Sequence, residues 1–111
     1  PPDLLFAATT ASRSWRGQVE QADARARQGA RTWVYRYDLP SPRDGGRWGA
    51  PHTIDIAAVF GNVEAPGAYI GRDRQSRRVS EAMMATVAAF ARTGDPNNPS
   101  APEWPLYTLP S

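Results

Sequence analysis

One histidine stands in the sequence, in a Gly/Pro loop directly before a short apolar segment. His52 lies in the run Gly49–Gly61, which reads GAPHTIDIAAVFG. An unperturbed imidazole has a pKa of about 6.5, so it can accept and return a proton near neutral pH. Loops held by a rigid scaffold commonly carry such groups. His52 is therefore the first candidate for proton-transfer chemistry, and a surface histidine without a chemical role is the alternative.

Composition excludes several kinds of chemistry. The chain has no cysteine and a single histidine, which rules out disulfides, thiolate nucleophiles and cysteine-based metal sites. We therefore expect no metal and no cofactor. No apolar run approaches the ~18 residues that a membrane-spanning helix needs, so we expect no membrane span. The first residues lack an initiator methionine, which predicts that the 111 residues are a piece of a longer chain.

The arginines favour a solvated loop over a nucleic-acid site. All 13 basic residues are arginine, against 11 acidic residues and a net charge of +2, which makes a weak field for a polyanion. The densest cluster has Asp73 and Glu81 beside it and no interleaved aromatic residues. Its members are Arg72, Arg74, Arg77 and Arg78. We expect no nucleic-acid partner, and an arginine-rich nucleic-acid-binding module is the weakest alternative.

A short first helix is predicted to start at Leu4-Leu5-Phe6, with Asp3 as its cap. A second helix begins near Trp15, where apolar residues recur every three or four positions, and stops at Gly29. Opposite charges stand four residues apart on its solvent side. These pairs are Arg16/Glu20 and Asp23/Arg27. A short helical segment follows His52, with Thr53 as its cap and Asp55 in its first turn.

The strongest predicted helix begins at Ser80 and stops at Gly94. Val79 before the cap is expected to pack on Met84 as a hydrophobic staple. The periodicity also predicts a buried apolar stripe. Its members are Met83, Val87, Phe90 and Ala91.

One strand is predicted over Thr32–Leu39, which is rich in aromatic and β-branched residues. The predicted fold class is therefore α/β, with one main strand, flanking helices, long loops and an aromatic tail at Trp104–Tyr107. A single strand leaves both of its backbone edges unpaired. We expect it to be part of a larger sheet and to pair with the rest of a longer chain or, by self-association, with a second copy.

Several spaced motifs occur in one order along the chain. Tyr35-Arg36-Tyr37 on the strand is followed by Gly49-Ala50-Pro51-His52 and by Val59-Phe60-Gly61-Asn62. The later motifs are Ser80–Met84, Phe90–Asn97 and Trp104–Tyr107. Together they resemble the C-terminal part of the type-B carboxylesterases, the family of the cholinesterases and the bacterial para-nitrobenzyl esterases. The resemblance runs from about Asp3 to Tyr107.

The resemblance implies a C-terminal fragment of an α/β-hydrolase sheet, in which residues 1–111 are part of a single catalytic domain. In that fold the chain order of the triad is nucleophile, acid, histidine, and His52 is at the histidine's position. Its implied role is to take the proton of the serine hydroxyl and deliver it to the leaving alkoxide. The implied substrate is a small-molecule ester, and the implied partner is the upstream part of the same chain.

The chain departs from a complete esterase. It contains no Gly-x-Ser-x-Gly and no glycine-rich run for an oxyanion hole, so we expect the nucleophile, the triad acid and the oxyanion hole upstream. We also expect the 111 residues alone to be inactive. Asp55, three residues after His52, is interpreted as a first-turn helix acid, and Met83 and Phe90 are interpreted as core residues.

Two classes of function compete. The leading hypothesis is the histidine-bearing part of a serine carboxylester hydrolase. The alternative is a non-catalytic cholinesterase-like domain for adhesion or interaction, a kind of domain that typically loses triad members. Retention of His52 favours the enzyme, and an upstream Gly-x-Ser-x-Gly would discriminate between the two.

Overall fold

The computed structural model describes residues 2–109, which form helices joined by long irregular segments. The helices are α1 (Pro2–Thr10), α2 (Arg16–Arg27), α3 (Ile54–Val59) and α4 (Arg74–Thr93). A π-helical turn at Ala11–Trp15 continues α1 into α2, and a short 3₁₀ turn spans Arg43–Gly46. The chain divides into two compact units. One combines the helices up to Val34 with the segment from Pro105, and the other is Tyr35–Trp104.

The first unit is built on α2, whose predicted features are confirmed. Arg16 Nε lies 2.8 Å from Glu20 Oε1, and Arg27 pairs with Asp23 at 3.5 Å. Gly29 ends the helix in a left-handed conformation (φ +70°). Its N–H donates to the Ala26 carbonyl while the next N–H donates to that of Arg25, the two bonds of a Schellman motif. The predicted start of a helix near Trp15 is wrong, because the chain is already helical from Pro2 to Trp15.

The tail of the first unit is held through Tyr107. Its hydroxyl donates to Asp23 Oδ1 at 2.8 Å, and its backbone N–H donates to the Thr32 carbonyl at 2.8 Å. The hydrogen bond that the Tyr107 hydroxyl donates to Asp23 raises the pKa of this hydroxyl. These two bonds attach the segment after Pro105 to the end of α2.

The predicted strand over Thr32–Leu39, and with it the α/β fold class, is wrong. Residues 2–109 contain no β-strand. Aromatic and β-branched side chains favour a strand only where a neighbouring backbone can complete the hydrogen-bond ladder, and no segment of the described chain provides one. Tyr37 instead packs against the core of the second unit, and Arg36 pairs with Asp38 at 2.7 Å.

The core of the second unit lies where α3 packs against α4. Its buried residues come from α3 and from the segment that joins the two helices. They are Ile54, Ala58, Val63 and Ile70. Ser80, in the middle of α4, is buried and donates from Oγ to the Ala58 carbonyl at 2.8 Å. This hydrogen bond lets the two helices approach closely without leaving a polar atom unsatisfied.

Ser80 is therefore not the N-cap of α4, and the staple between Val79 and Met84 is also wrong. The helix begins six residues earlier, because Asp73 Oδ1 accepts hydrogen bonds from the N–H groups of Gln75 and Ser76. The first turns carry arginines rather than apolar residues, so hydrophobic periodicity does not reveal them. Gly94 does end the helix, as predicted, at φ +72°.

The predicted buried stripe of α4 is largely wrong. Met83 packs against the core, but Val87 and Phe90 are 46% and 49% exposed, and Ala91 is also exposed. The buried positions of α4 are small residues, namely Ser76, Ser80, Thr86 and Ala89. Small side chains permit the close contact with α3, whereas Val87 and Phe90 remain about half exposed.

The cap of α4 predicts an acid-sensitive contribution to stability. Hydrogen bonds from the Ser76 N–H and hydroxyl hold the pKa of Asp73 below its ordinary value. A carboxyl whose folded pKa is depressed stabilises the fold fully above its unfolded pKa of about 3.9, and this contribution disappears as pH falls through the folded pKa. Asp73→Asn keeps an acceptor for the N–H groups but does not titrate.

We expect Asp73→Asn to weaken the loss of stability below about pH 4, and Asp73→Ala to lower stability already at neutral pH. Urea unfolding midpoints measured from pH 7 to pH 2 test both statements. An unchanged acid dependence in Asp73→Asn would contradict this role of the cap.

Candidate active site

A closed loop precedes His52 and is anchored by a buried serine. Ser41 is 1% exposed, and its N–H donates to the Gly49 carbonyl at 2.8 Å. Its Oγ donates to the Tyr69 carbonyl at 2.5 Å. The loop therefore returns to its starting point at Gly49, three residues before His52. No role for Ser41 was predicted from the sequence, because its hydrogen bond to the Tyr69 carbonyl joins residues 28 positions apart and leaves no pattern in the neighbouring residues.

The loop between these two ends is ordered by its own side chains. Asp44 and Gly45 adopt left-handed conformations (φ +51° and +70°). The Trp48 indole N–H donates to Asp44 Oδ2 at 2.6 Å, and the Arg47 guanidinium lies 4.3 Å from the centroid of the Trp48 ring. These contacts give the exposed loop a defined shape ahead of the histidine.

His52 is exposed, in the turn that leads into α3. The Ile54 N–H closes this turn by donating to the Pro51 carbonyl at 3.2 Å. Within residues 2–109 the imidazole has no hydrogen bond or ion pair with a protein group. Its two ring nitrogens are therefore available to groups outside the described chain, as a general base that acts on an upstream serine requires.

Thr53, the next residue, is held in a left-handed conformation with φ +74°. A β-branched residue rarely adopts this conformation, and the strain costs on the order of 1–3 kcal/mol. Thr53 occupies the N-cap position of α3, as expected, but its side chain makes no capping hydrogen bond. An N-cap that bonds the helix N–H groups has an extended backbone, which the left-handed turn does not allow.

Asp55 lies in the first turn of α3, as predicted, and its carboxylate accepts a hydrogen bond from a tyrosine. The Tyr35 hydroxyl donates to Asp55 Oδ2 at 2.7 Å. Partial burial of the half-exposed ring, together with the bond to Asp55 and its negative charge, raises the pKa of Tyr35 to about 12. The phenol therefore stays protonated and remains a donor throughout the physiological pH range.

Tyr35 is itself held by the segment that ends at Trp104. The two rings meet edge to face, with centroids 6.1 Å apart and planes at 84°. The Asn97 side chain fixes the Trp104 backbone, since Oδ1 accepts from its N–H at 2.7 Å and Nδ2 donates to its carbonyl at 3.0 Å. Tyr35 and Asn97 belong to two of the family motifs, Tyr35-Arg36-Tyr37 and Phe90–Asn97. The sequence did not predict that either residue contacts Trp104.

A second tyrosine lies close to the same carboxylate. Tyr37 packs on the core, and its buried hydroxyl oxygen has no hydrogen-bond partner within residues 2–109. Burial and the nearby charges of Asp55 and Asp73 raise the pKa of this hydroxyl. The phenol therefore stays protonated at neutral pH.

The arginine cluster is exposed, as expected, but Arg74, Arg77 and Arg78 lie on α4 rather than in a loop. Glu64 binds two of its members: Arg72 Nε lies 3.3 Å from Glu64 Oε2, and Arg77 bonds the other oxygen. The described part of the chain has no group of three or more histidine or acidic side chains arranged to hold a metal ion. Across residues 2–109, no helix combines the length and apolar character needed to cross a bilayer.

Comparison with known proteins gives the family. A sequence profile of the carboxylesterase family matches residues 5–111. Bile salt-activated lipase of Bos taurus is 41% identical over 85 residues, which are 72% of this chain and 14% of that protein. Carboxylesterase 5A of Felis catus is 40% identical over 62 residues, 53% of this chain and 11% of its own length. Phenmedipham hydrolase of Pseudarthrobacter oxydans is 34% identical over 78 residues, 67% of this chain and 16% of its own length.

The chain therefore belongs to the carboxylesterase family. The family resemblance inferred from the motifs is confirmed. The matched segments span 16% or less of each of these three relatives, so the activity of the whole protein is a separate question.

Proposed function

We propose that these residues are the C-terminal part of a longer serine carboxylester hydrolase and that His52 is its general base and acid. Residues 1–111 would then form part of a single catalytic domain whose remainder lies elsewhere in the longer chain. The observation that carries this proposal is the placement of the single histidine, exposed and unengaged in an ordered turn, in a chain of the carboxylesterase family.

The chemistry needs only proton transfer from this chain. His52 takes the proton of an upstream serine hydroxyl as the serine oxygen attacks the ester carbonyl. The resulting imidazolium then protonates the leaving alkoxide, which leaves an acyl-enzyme. In the second half of the reaction His52 takes a proton from water and returns it to the serine as the carboxylic acid departs.

Three of the seven serines of this chain have structural contacts, which supports a nucleophile that lies upstream. The hydroxyl of Ser41 donates to the Tyr69 carbonyl, and that of Ser80 donates to the Ala58 carbonyl. The Ser76 hydroxyl donates to Asp73 Oδ2 at 2.8 Å. All three residues are buried, so none presents a free oxygen to a substrate.

Apolar surface on α3 and α4 supports a longer parent chain as the partner of this segment. Ile56 on α3 and Phe60 directly after it are 54% and 69% exposed, and Val87 on α4 is 46% exposed. Covering such side chains stabilises a fold by about 25 cal/mol per Å². Self-association through an unpaired strand loses its basis, because the described chain contains no strand.

A serine-directed probe tests the proposed function. We expect a fluorophosphonate to label the full-length protein at one serine outside residues 1–111, with concurrent loss of hydrolysis of a para-nitrophenyl ester. Peptide mapping by mass spectrometry locates the label. Labelling within this chain would contradict the assignment of the nucleophile. Absence of both labelling and hydrolysis would favour the non-catalytic adhesion or interaction domain.

A further inference from the structure

The turn that carries His52 needs support from outside itself. Thr53 has a strained left-handed backbone (φ +74°), and its side chain contributes no capping bond. A strained conformation persists only where the surrounding structure holds it. Thr53 is exposed, so its neighbours along the chain must supply the restraint.

Two anchors follow Thr53 directly in sequence. Ile54 is 3% exposed and belongs to the core cluster. Asp55 is bound through its carboxylate by the Tyr35 hydroxyl at 2.7 Å. Burial of Ile54 holds the turn against the core, but hydrophobic burial has little directional preference and does not by itself set the orientation of the turn. The hydrogen bond to Asp55 has directional geometry and restrains the rotation of the first turn of α3.

The donor of this hydrogen bond is held in place as well. The Tyr35 ring meets Trp104 edge to face, and Asn97 fixes the Trp104 backbone through two hydrogen bonds. The hydroxyl of Tyr35 thus has a fixed position relative to the end of α4. Through its hydrogen bond to Asp55, Tyr35 therefore restrains the orientation of the turn at residues 51–53.

We propose that Tyr35 is a positioning residue, which acts through Asp55 to hold the strained Thr53 turn and so aims the His52 imidazole. This inference rests on the proposed role of His52. Tyr35 need not touch the substrate, because its hydroxyl is already bound to Asp55. Misplacement of a catalytic group by about 1 Å can cost on the order of 100-fold in rate, so loss of this restraint affects kcat before it affects substrate binding.

The test is Tyr35→Phe in the full-length enzyme, which removes one hydroxyl and keeps the ring against Trp104. We expect kcat for a para-nitrophenyl ester to fall roughly 10-fold, with KM within about twofold of its original value. Tyr107→Phe is the matched control. It deletes a tyrosine–aspartate hydrogen bond of 2.8 Å in the first unit, and it should leave kcat unchanged.

A second variant separates aiming from general stability. Glycine adopts φ +74° without strain, so Thr53→Gly should restore most of the kcat lost in Tyr35→Phe. Asp55→Asn combined with Tyr35→Phe should cost no more than the larger single effect, because both changes break one interaction. Circular dichroism and thermal unfolding of each variant verify that it is folded.

The outcomes distinguish this inference from the proposed function. If His52→Ala abolishes hydrolysis while Tyr35→Phe leaves kcat unchanged, the positioning role is wrong and the proposed function stands. Equal losses in Tyr35→Phe and Tyr107→Phe, or no rescue by Thr53→Gly, would also overturn the positioning role. If His52→Ala retains full activity, the proposed function itself fails.

Discussion

Replacing His52 with alanine in the full-length enzyme should lower kcat for ester hydrolysis by several orders of magnitude, on the order of 10⁴- to 10⁶-fold. Without the imidazole, the serine hydroxyl has no acceptor for its proton, and the leaving alkoxide has no donor. The role proposed for His52 is proton transfer rather than substrate binding, so we expect KM to change far less than kcat. Steady-state kinetics with a para-nitrophenyl ester measures both parameters.

Two controls sharpen this prediction. Arg78→Ala alters an exposed side chain on α4 and should leave kcat unchanged. Added imidazole should restore part of the activity of His52→Ala, because the small base can enter the space left by the side chain and take the same proton. Residual activity above about 10% of the original rate would exclude His52 from the triad.

The isolated 111-residue chain should show no saturable ester hydrolysis. It holds a general base, but no Gly-x-Ser-x-Gly nucleophile and no glycine-rich oxyanion hole, and covalent catalysis requires both a nucleophile and its activating base. Any hydrolysis should match that of free imidazole at equal concentration and rise linearly with ester concentration. Initial rates over a wide range of ester concentration measure this.

His52→Ala in the isolated chain is the matched control for this second prediction, and it should remove only the imidazole background. Saturable hydrolysis that survives this substitution would show a complete site within residues 1–111. That result would contradict the proposal that the nucleophile lies upstream.

Local features of the fold were predictable from neighbouring residues. The stops at Gly29 and Gly94 were correct because glycine adopts the left-handed conformation that ends a helix. The charge pairs on α2 followed from four-residue spacing. The start of α4 was missed because Asp73 precedes arginines, and its capping role depends on a hydrogen bond rather than on an apolar pattern.

The predicted strand shows where local reasoning ends. The composition of Thr32–Leu39 favours a strand, yet residues 2–109 offer no segment to pair with it. Tyr35 and Tyr37 bind at α3 instead, one to Asp55 and the other on the core. A ladder needs two backbones, so the residues of one segment cannot decide whether it forms.

The sequence by itself determined the family, the single histidine in its Gly/Pro loop, and the helix ends, because these depend on residue identity and short spacing. Only the tertiary structure decided that Tyr35 binds Asp55, that the Ser41 hydroxyl binds the Tyr69 carbonyl, and that Ser80 joins α4 to α3. Each of these bonds joins residues at least 20 positions apart. Folding brings such distant groups within about 3 Å of each other, and hydrogen bonding selects partners by that distance and direction.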